Sequence, residues 1–381
     1  MFVVSRARPA IAFLLLAATA CQGADKPDPS ASLFKPTGPV PVFKIEVDKD
    51  NLAALNKEPR KHVKATIKVG DETFKEVGLH LKGAAGSLRN WDDKPALTLS
   101  FNKFIHLQSF HGLHKIHLNN SVQDPTYLDE IICGEMSLAA GLPACRATHA
   151  VVELNGRKVG FYVLKEGFDK TFLRRHFADP NGNMYDGGFL LDLDGELKLE
   201  NGIANERKDL KALAALCQEP NAAKRFEALD QKADIDRIVT LAVLQTITTD
   251  WDGYCRNRNN YRIYFDPKSG KAVIFPHGMD QMFGQPDEGL WPGWGGMLAR
   301  AVLETPEGKK RYAARLKEMT DKNFQLAVIY KRIDELAPRA RAAMEAVSKG
   351  SGAGYDNEVK ALKDRLKQRS EFLAREIPKF K

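Results

Sequence analysis

Two acidic centres, Asp250 with Asp252 and then Asp280, flank a stretch that turns back on itself, and this constrains the fold more than any other feature. The runs Tyr261–Phe265 and Ala272–Phe275 are apolar and rich in strand formers, while Asp266, Pro267, Ser269 and Gly270 between them are turn formers. That spacing predicts a β-hairpin. A hairpin here sets Met279-Asp280-Gln281-Met282-Phe283-Gly284 beside Thr249-Asp250-Trp251-Asp252-Gly253-Tyr254 and the turn Asn257-Arg258-Asn259-Asn260. Carboxylates and amide oxygens gathered in this way are hard ligands, suited to Mg²⁺ or a similar ion that carries phosphates. The plainer alternative is surface Asp and Asn in turns.

At 381 residues the chain has room for one large or two modest domains. Hydrophobic content of 43% and charged content of 28% are those of a folded soluble protein. A net charge of +8, spread along the whole length, favours anionic partners only weakly. No basic run is interleaved with aromatics, so nucleic-acid binding has no support.

Residues 1–21 read as a targeting segment. Arg6 and Arg8 form a positive start, and Ala10–Ala18 is an apolar run too short to span a membrane. Small residues Ala18-Thr19-Ala20 precede Cys21, which reads as a lipidated N-terminal cysteine or, alternatively, as a bystander at an ordinary signal-peptidase site. Residues 22–39 are polar and carry prolines, as a flexible tether does. The expectation is export, either as an envelope-anchored lipoprotein of the periplasm or outer surface or as a secreted protein. Membrane contact is expected only through that lipid. Export permits disulfides among Cys133, Cys145, Cys217 and Cys255, in three possible pairings, with a local Cys133–Cys145 bridge conceivable. Cys217 lies in the apolar helical run Leu210–Cys217 and reads as a core residue.

The first part of the chain is strand-rich. Val40–Val47, Lys64–Val69, Val77–Leu81 and Ala96–Phe101 alternate with a period of two. Between the last two, Gly83-Ala84-Ala85-Gly86-Ser87 is a small-residue turn of the kind whose N–H groups can approach phosphate oxygens. Lys82, Arg89 and Lys94 lie near it. Asp124–Ala140 reads as a helix with Asp124 as N-cap and Pro125 at its first position, and Gly141 ends it. Thr148–Leu154 and Lys158–Leu164 are strands joined by the hairpin turn Asn155-Gly156. Asn181–Gly187 and Asp192–Glu196 read as turns, the latter a weak Ca²⁺ candidate without a terminal glutamate. The second half is mainly helical. Asp234 opens a buried helix that delivers Asp250 and Asp252 at its C-terminal end, where two carboxylates call for a compensating cation. Trp291-Pro292-Gly293-Trp294-Gly295-Gly296 is either a substrate-facing loop or a packing plug between lobes.

Trp251-Asp252-Gly253-Tyr254, the strand Asn260-Tyr261-Arg262-Ile263-Tyr264 and Asp280-Gln281-Met282-Phe283-Gly284 resemble the spore-coat protein H (CotH) kinase-like family. So do Leu81-Lys82-Gly83 through Ser87-Leu88-Arg89 with Lys94-Pro95, and Val152-Glu153-Leu154-Asn155-Gly156 with Gly160 through Glu166. The closing stretch Leu362-Lys363 through Arg369 resembles the family's last helix. The resemblance implies an α+β, atypical bilobal protein-kinase-like fold, with a strand-rich N-lobe over residues 40–165 and a mainly helical C-lobe over 166–381. It implies phosphoryl transfer from ATP with Mg²⁺ or Mn²⁺ to a protein or surface-polymer hydroxyl. Asp252 is then the catalytic aspartate that accepts the proton of the attacking hydroxyl or orients it, Asp280 the principal metal ligand, and Asn260 or Asn257 a second ligand. Lys82, Gly83, Gly86, Ser87, Arg89 and Lys94 become nucleotide-binding candidates, with Lys82 or Lys94 as the phosphate lysine and Glu130 or Glu135 as its helix partner. Glu166 contacts the nucleotide or serves structurally. The chain departs from the family at Gly278, where an aspartate is usual, and at His277, where a tryptophan is. That leaves open a non-catalytic kinase-fold module of envelope binding or assembly, and a metal-dependent hydrolase.

Overall fold

Seven strands alternate apolar and polar residues closely enough to bury one face each, and they close into a barrel in the order β1-β2-β3-β4-β5-β7-β6. They are β1 (Val42–Glu46), β2 (Val63–Val69), β3 (Glu72–Lys82), β4 (Ala96–Ser100), β5 (Lys115–Asn119), β6 (Ala147–Leu154) and β7 (Arg157–Glu166). The computed structural model describes residues 28–84 and 86–380. The segment expected to be a targeting signal, and Cys21, lie outside the described residues. Every barrel pairing is antiparallel except the seam, where β1 runs parallel to β6 with Val42 opposite Val151. The turn joining β6 to β7 has Asn155 at φ 47° and Gly156 at φ 79°, the left-handed pair a two-residue hairpin requires. The side chain of Asn155 also ties down β1, accepting from Val47 N and donating to Val47 O at 2.8 and 2.9 Å. Helix α1 (Lys49–Lys57) covers one end, capped by Asp48.

Residues 28–39, expected as tether, are packed against the fold. Ser30 is buried, Leu33 and Phe34 lie against the barrel core, and the guanidinium of Arg146 sits over the Phe34 ring while pairing with Asp28 at 2.7 Å. Arg339 holds the carbonyls of Gly38 and Pro39.

Helix α2 (Asp129–Ala139) is inserted between β5 and β6, and its apolar residues Leu128, Ile131, Ile132 and Met136 join the core of the helical part rather than that of the barrel. It starts four residues later than its sequence suggests, at Asp129 rather than Pro125. Asp124 accepts from the Thr126 N–H and hydroxyl, and Tyr127 takes φ 56°, so the chain turns before it can coil. Asp124 still reaches the helix start, accepting from Asp129 N at 3.0 Å.

The second part contains α3 (Lys170–His176), α4 (Lys208–Cys217), α5 (Ala222–Lys232), α6 (Ile235–Ile247), α7 (Tyr254–Asn257), α8 (Met297–Leu303), α9 (Pro306–Lys322), α10 (Leu326–Val347) and α11 (Tyr355–Glu376). A four-stranded sheet, β11-β10-β8-β9, accompanies them: β8 (Met184–Asp186), β9 (Lys198–Asn201), β10 (Tyr261–Asp266) and β11 (Lys271–Pro276). The predicted hairpin is β10–β11, with Tyr261 opposite Pro276. The stretch read as turn over 181–187 contains β8. The molecule is thus α+β, strand-rich first and helical second.

Helix α6 is buried on every side, as a run without a polar face requires. Trp291 and Trp294 stack among Tyr312 and Phe380, so this segment is a packing plug. Asp192 accepts from Met297 N, Leu193 N and Tyr254 OH, and Gly195 N bonds to its carbonyl, making the 192–195 stretch a structural turn. The four described cysteines are free, and no Cys133–Cys145 bridge forms: Cys133 packs in the helical core, while Cys145 belongs to a separate cluster with Phe168 and Phe172.

Candidate functional site

Strands β3, β4, β5 and β7 point Leu81, Leu97, Leu118 and Leu164 into the barrel. With a period of two, Lys82, Asn119 and Lys165 therefore face the other way, toward α2 and the helical part. There Lys165 Nζ pairs with Glu130 Oε1 at 2.7 Å, with the two side chains only 2% and 3% exposed. Lys82 Nζ donates to Asn119 Oδ1 at 2.5 Å, and Asn119 Nδ2 donates on to Glu130 Oε2 at 3.3 Å. The cluster contains two ammonium groups around one helix carboxylate. Burial, with Lys165 close by, pulls Lys82 down to about 8, an effect that Glu130 and Asp280 oppose. An anion brought to this point meets a cation that lacks a carboxylate of its own.

The other lysine weighed for this role is held elsewhere. Lys94 donates to Tyr127 OH at 2.6 Å and lies over the rings of Tyr127 and Tyr162. Glu135, the other helix candidate, is on the outside, forked onto Arg332 with a closest approach of 2.6 Å. The glycine turn does bend as its sequence suggests, with Gly83 at φ 106° and Gly86 at φ 82°. However, part of the turn is bonded internally: Ala84 N donates to Ser87 Oγ, and Ser87 N and Leu88 N both donate to Ala84 O. Arg89 holds the carbonyls of Gly86 and Leu88 and pairs with Asp93. Glu166 is fully engaged by Arg146 and Arg175, binding the end of β7 to α3. Helix α3 is capped by Asp169 instead.

Asp252 follows α6 and is braced by three amides. Asn257 Nδ2 donates to Oδ1 at 2.8 Å, and Asn259 Nδ2 and Asn260 Nδ2 donate to Oδ2 at 3.0 and 2.9 Å. Left-handed backbone at Arg258 and Asn260 curls the loop around the carboxylate. Gln245 on α6 organises the approach to it, donating to Asp250 Oδ2 and accepting from Cys255 N. Gly253 is needed there, because a Cβ would collide with the Gln245 amide. Burial, with Asp252 beside it, pushes the Asp250 carboxyl up to about 7.

The hairpin sets the second acidic centre beside the first. His277 N donates to Asn260 O at 3.0 Å and Phe283 N to Thr248 O at 2.7 Å. Asp280, between those two tie points, makes no hydrogen bond or ion pair among the described residues, and burial plus the nearby Glu130 pushes its carboxyl up to about 7. Helix α2 is linked to the same loop, since Asp129 Oδ2 accepts from Met282 N at 3.2 Å. His277 is structural: its Nε2 lies 2.7 Å from Arg262 Nη1, and burial beside that guanidinium holds it well below the usual imidazole range. Gly278 has φ 64°, and a Cβ at this position would stand 2.7 Å from Asn260 Oδ1. The aspartate usual in the family has no room with this loop geometry.

The donor set fits a divalent cation of a particular kind. Among the described residues no three His, Cys, Asp or Glu side chains converge as a self-sufficient metal site. What remains is Asp280, without a partner, and Asn260, whose amide NH₂ is committed to Asp252 so that Oδ1 faces the loop leading to Asp280. One carboxylate and one amide oxygen suit Mg²⁺ or Mn²⁺ that keeps waters and phosphate oxygens as its other ligands.

Several of these residues escaped sequence reading. Lys165 was a lone lysine ending an apolar strand, which is a usable signal. Asn119 and Asp129 act through partners far off in the chain, and Asn259 and Gln245 through partners five to ten residues away that only the folded loop brings to them. The last carbonyls of α6 are filled by the chain's own Arg369, fully buried, which donates to those of Thr246 and Ile247.

A strand lysine paired to a helix glutamate, a braced aspartate and a second aspartate on an adjoining loop, set between a strand-rich and a helical part, define a protein of kinase type. The chain belongs to the CotH kinase protein family, matching it over residues 79–373. It is 22% identical over 361 residues to inner spore coat protein H of Bacillus subtilis, covering 88% of this chain and 96% of that one. It is 24% identical over 235 residues to invasin CotH7 and 27% identical over 188 residues to invasin CotH3 of Rhizopus delemar. These matches span 54% and 44% of this chain but only 39% and 30% of the invasins. Among solved structures, the Helicobacter pylori proinflammatory kinase CtkA aligns over 71% of this chain and 93% of its own, at 11% identity and a TM-score of 0.32. That likeness is too loose to carry residue correspondences.

Proposed function

We propose that this chain is an atypical kinase of the cell envelope, moving a phosphoryl group from a nucleoside triphosphate to a hydroxyl on a protein or surface polymer. The observation that carries the reading is the meeting of Lys82, the Lys165–Glu130 pair and the partnerless Asp280 next to the amide-braced Asp252. Phosphoryl transfer asks a protein for positioning and charge neutralisation more than for covalent chemistry. Lys82 neutralises phosphate oxygens. Lys165 and Glu130 fix α2, whose Asp129 holds the Asp280 loop. Asp280 and Asn260 Oδ1 would hold the cation, which would supply charge neutralisation for the phosphate. Asp252, with its orientation fixed by three amides, accepts a hydrogen bond from the incoming hydroxyl and takes its proton. The export signal, together with relatives named as a spore coat protein and as invasins, supports the envelope address.

A second reading, a binding module that kept the fold without the chemistry, is favoured by Gly278 and by the self-bonded glycine turn. Calorimetric titration of the purified protein with ATP, with and without Mg²⁺ or Mn²⁺, separates the two. Under the kinase reading binding depends on the metal and is lost in Asp280→Ala. Folded protein that binds no nucleotide under any condition leaves the binding module. Metal binding without triphosphate preference points instead to a hydrolase.

A further inference from the structure

The stretch Gln281–Gly296 follows Asp280 and precedes α8, the place where kinases keep a segment that phosphorylation orders through new arginine contacts. Here it contains no serine, threonine or tyrosine at all. It is nonetheless tied down along its length. Glu288 is forked onto Arg256, with Arg256 Nη1 donating to Glu288 Oε2 at 2.6 Å and Nη2 to Oε1. Both side chains are about six-sevenths buried, at 15% and 13% exposure, so water screens the pair poorly. Arg369 donates to the carbonyls of Pro286 and Glu288 at 3.1 and 2.6 Å, and Tyr312 OH to that of Leu290 at 2.7 Å. Gly296 N donates to Cys255 O at 3.1 Å, and the segment's last two glycines lie against α7 so closely that a Cβ on Gly295 would collide with Arg256 O.

Arg256 links the segment to the chemistry. It lies on α7, four residues beyond Asp252 and next to Asn257, one of the three amides that brace that carboxylate. A bidentate arginine–carboxylate fork fixes direction as well as distance. The contact therefore joins the loop of Asp280 to the loop of Asp252 through a carboxylate that belongs to the chain itself.

We propose that Glu288 is a built-in substitute for an activating phosphate: its pairing with Arg256 holds the Asp252 loop in working geometry at all times, so the site needs no phosphorylation switch. The proposal rests on the kinase reading for its catalytic consequence. The coupling between the two loops does not, and it can be tested in the protein alone. Arg256 and Glu288 are positioning residues.

The test is amide hydrogen exchange on the full chain, comparing wild type with Glu288→Gln, Glu288→Asp and the charge-exchanged Arg256→Glu/Glu288→Arg. Losing a buried fork speeds exchange about tenfold or more in Glu288→Gln, both at 284–296 and at 252–257, with β7 and α2 unchanged. Protection returns in part with Glu288→Asp and in the charge-exchanged form. If faster exchange stays within 284–296 and leaves 252–257 untouched, the coupling is absent and the proposal fails. In turnover, Glu288→Gln lowers kcat about tenfold while nucleotide affinity stays within about twofold, and phosphatase treatment of the wild type changes nothing. A wild type whose activity falls on dephosphorylation overturns the proposal. A wild type that binds no nucleotide overturns the kinase reading instead, while the exchange data still decide whether the loops are coupled.

Discussion

Asp280 and Asp250 keep their protons to about pH 7 in the folded chain, whereas an unfolded aspartate releases its proton near 3.8. Between those values the folded state binds more protons than the unfolded one, so these two groups make stability fall as pH rises from about 4 to about 7. Asp280→Asn removes its share of that slope, as chemical denaturation at a series of pH values will show. Ligand binding has the opposite sign on the acid side, because a cation needs Asp280 ionised. Affinity for the metal–nucleotide complex drops about tenfold for each unit below 7 and weakens again as Lys82 loses its proton above about 8. Calorimetric titrations from pH 5.5 to 9 should therefore trace a bell. At this scale the sequence pointed to Asp252, Asp280, Lys82 and Glu130, because acidic and basic residues inside apolar runs stand out. It did not separate Lys82 from Lys94 or Glu130 from Glu135. Those choices depend on which side of a strand or helix faces the second lobe, and that is set by packing.

Among the elements, α6 and α11 are joined through one buried side chain. Arg369 spans them, filling the last two carbonyls of α6 and two from the 286–288 stretch, and burial draws its guanidinium down to about 10. Arg369→Met keeps the volume and strands four carbonyls. We expect a loss of about 3 kcal/mol in urea unfolding, together with weaker nucleotide binding, since the end of α6 leads into Asp252. Long periodic elements were readable: the start of α6 and the strands of the β10–β11 hairpin lie within one residue of their expected positions. Strand β5 was not, because only Ile116 and Leu118 are apolar while His117 and Asn119 serve the cleft. Strands β8 and β9 are three and four residues long, too short for any period to show. The early start given to α2 failed because an Asp-Pro-Thr sequence suits both a helix cap and a tight turn, and Tyr127 settles it as the turn.

For the whole molecule, the order of motifs along the chain conveyed the α+β plan and the family before any contact was known. The packed strap over residues 28–39 was not legible, since its partners Arg146 and Arg339 lie more than a hundred residues away. Nor was the state of the cysteines. Burial pushes the thiols of Cys133, Cys145, Cys217 and Cys255 upward, and none is bridged, so the thermal midpoint should be the same with and without reductant. A midpoint that falls on reduction would show a bridge that this fold does not contain.

The parallel seam of the barrel also sets an order of events. Strand β1 can find β2 as soon as both exist, but its other edge waits for Val151–Leu154, more than a hundred residues downstream. Closing so large a loop is slow and is rewarded only when the contact forms. During synthesis β1 therefore has an unsatisfied edge until β6 emerges, and a holding chaperone has its clearest target there.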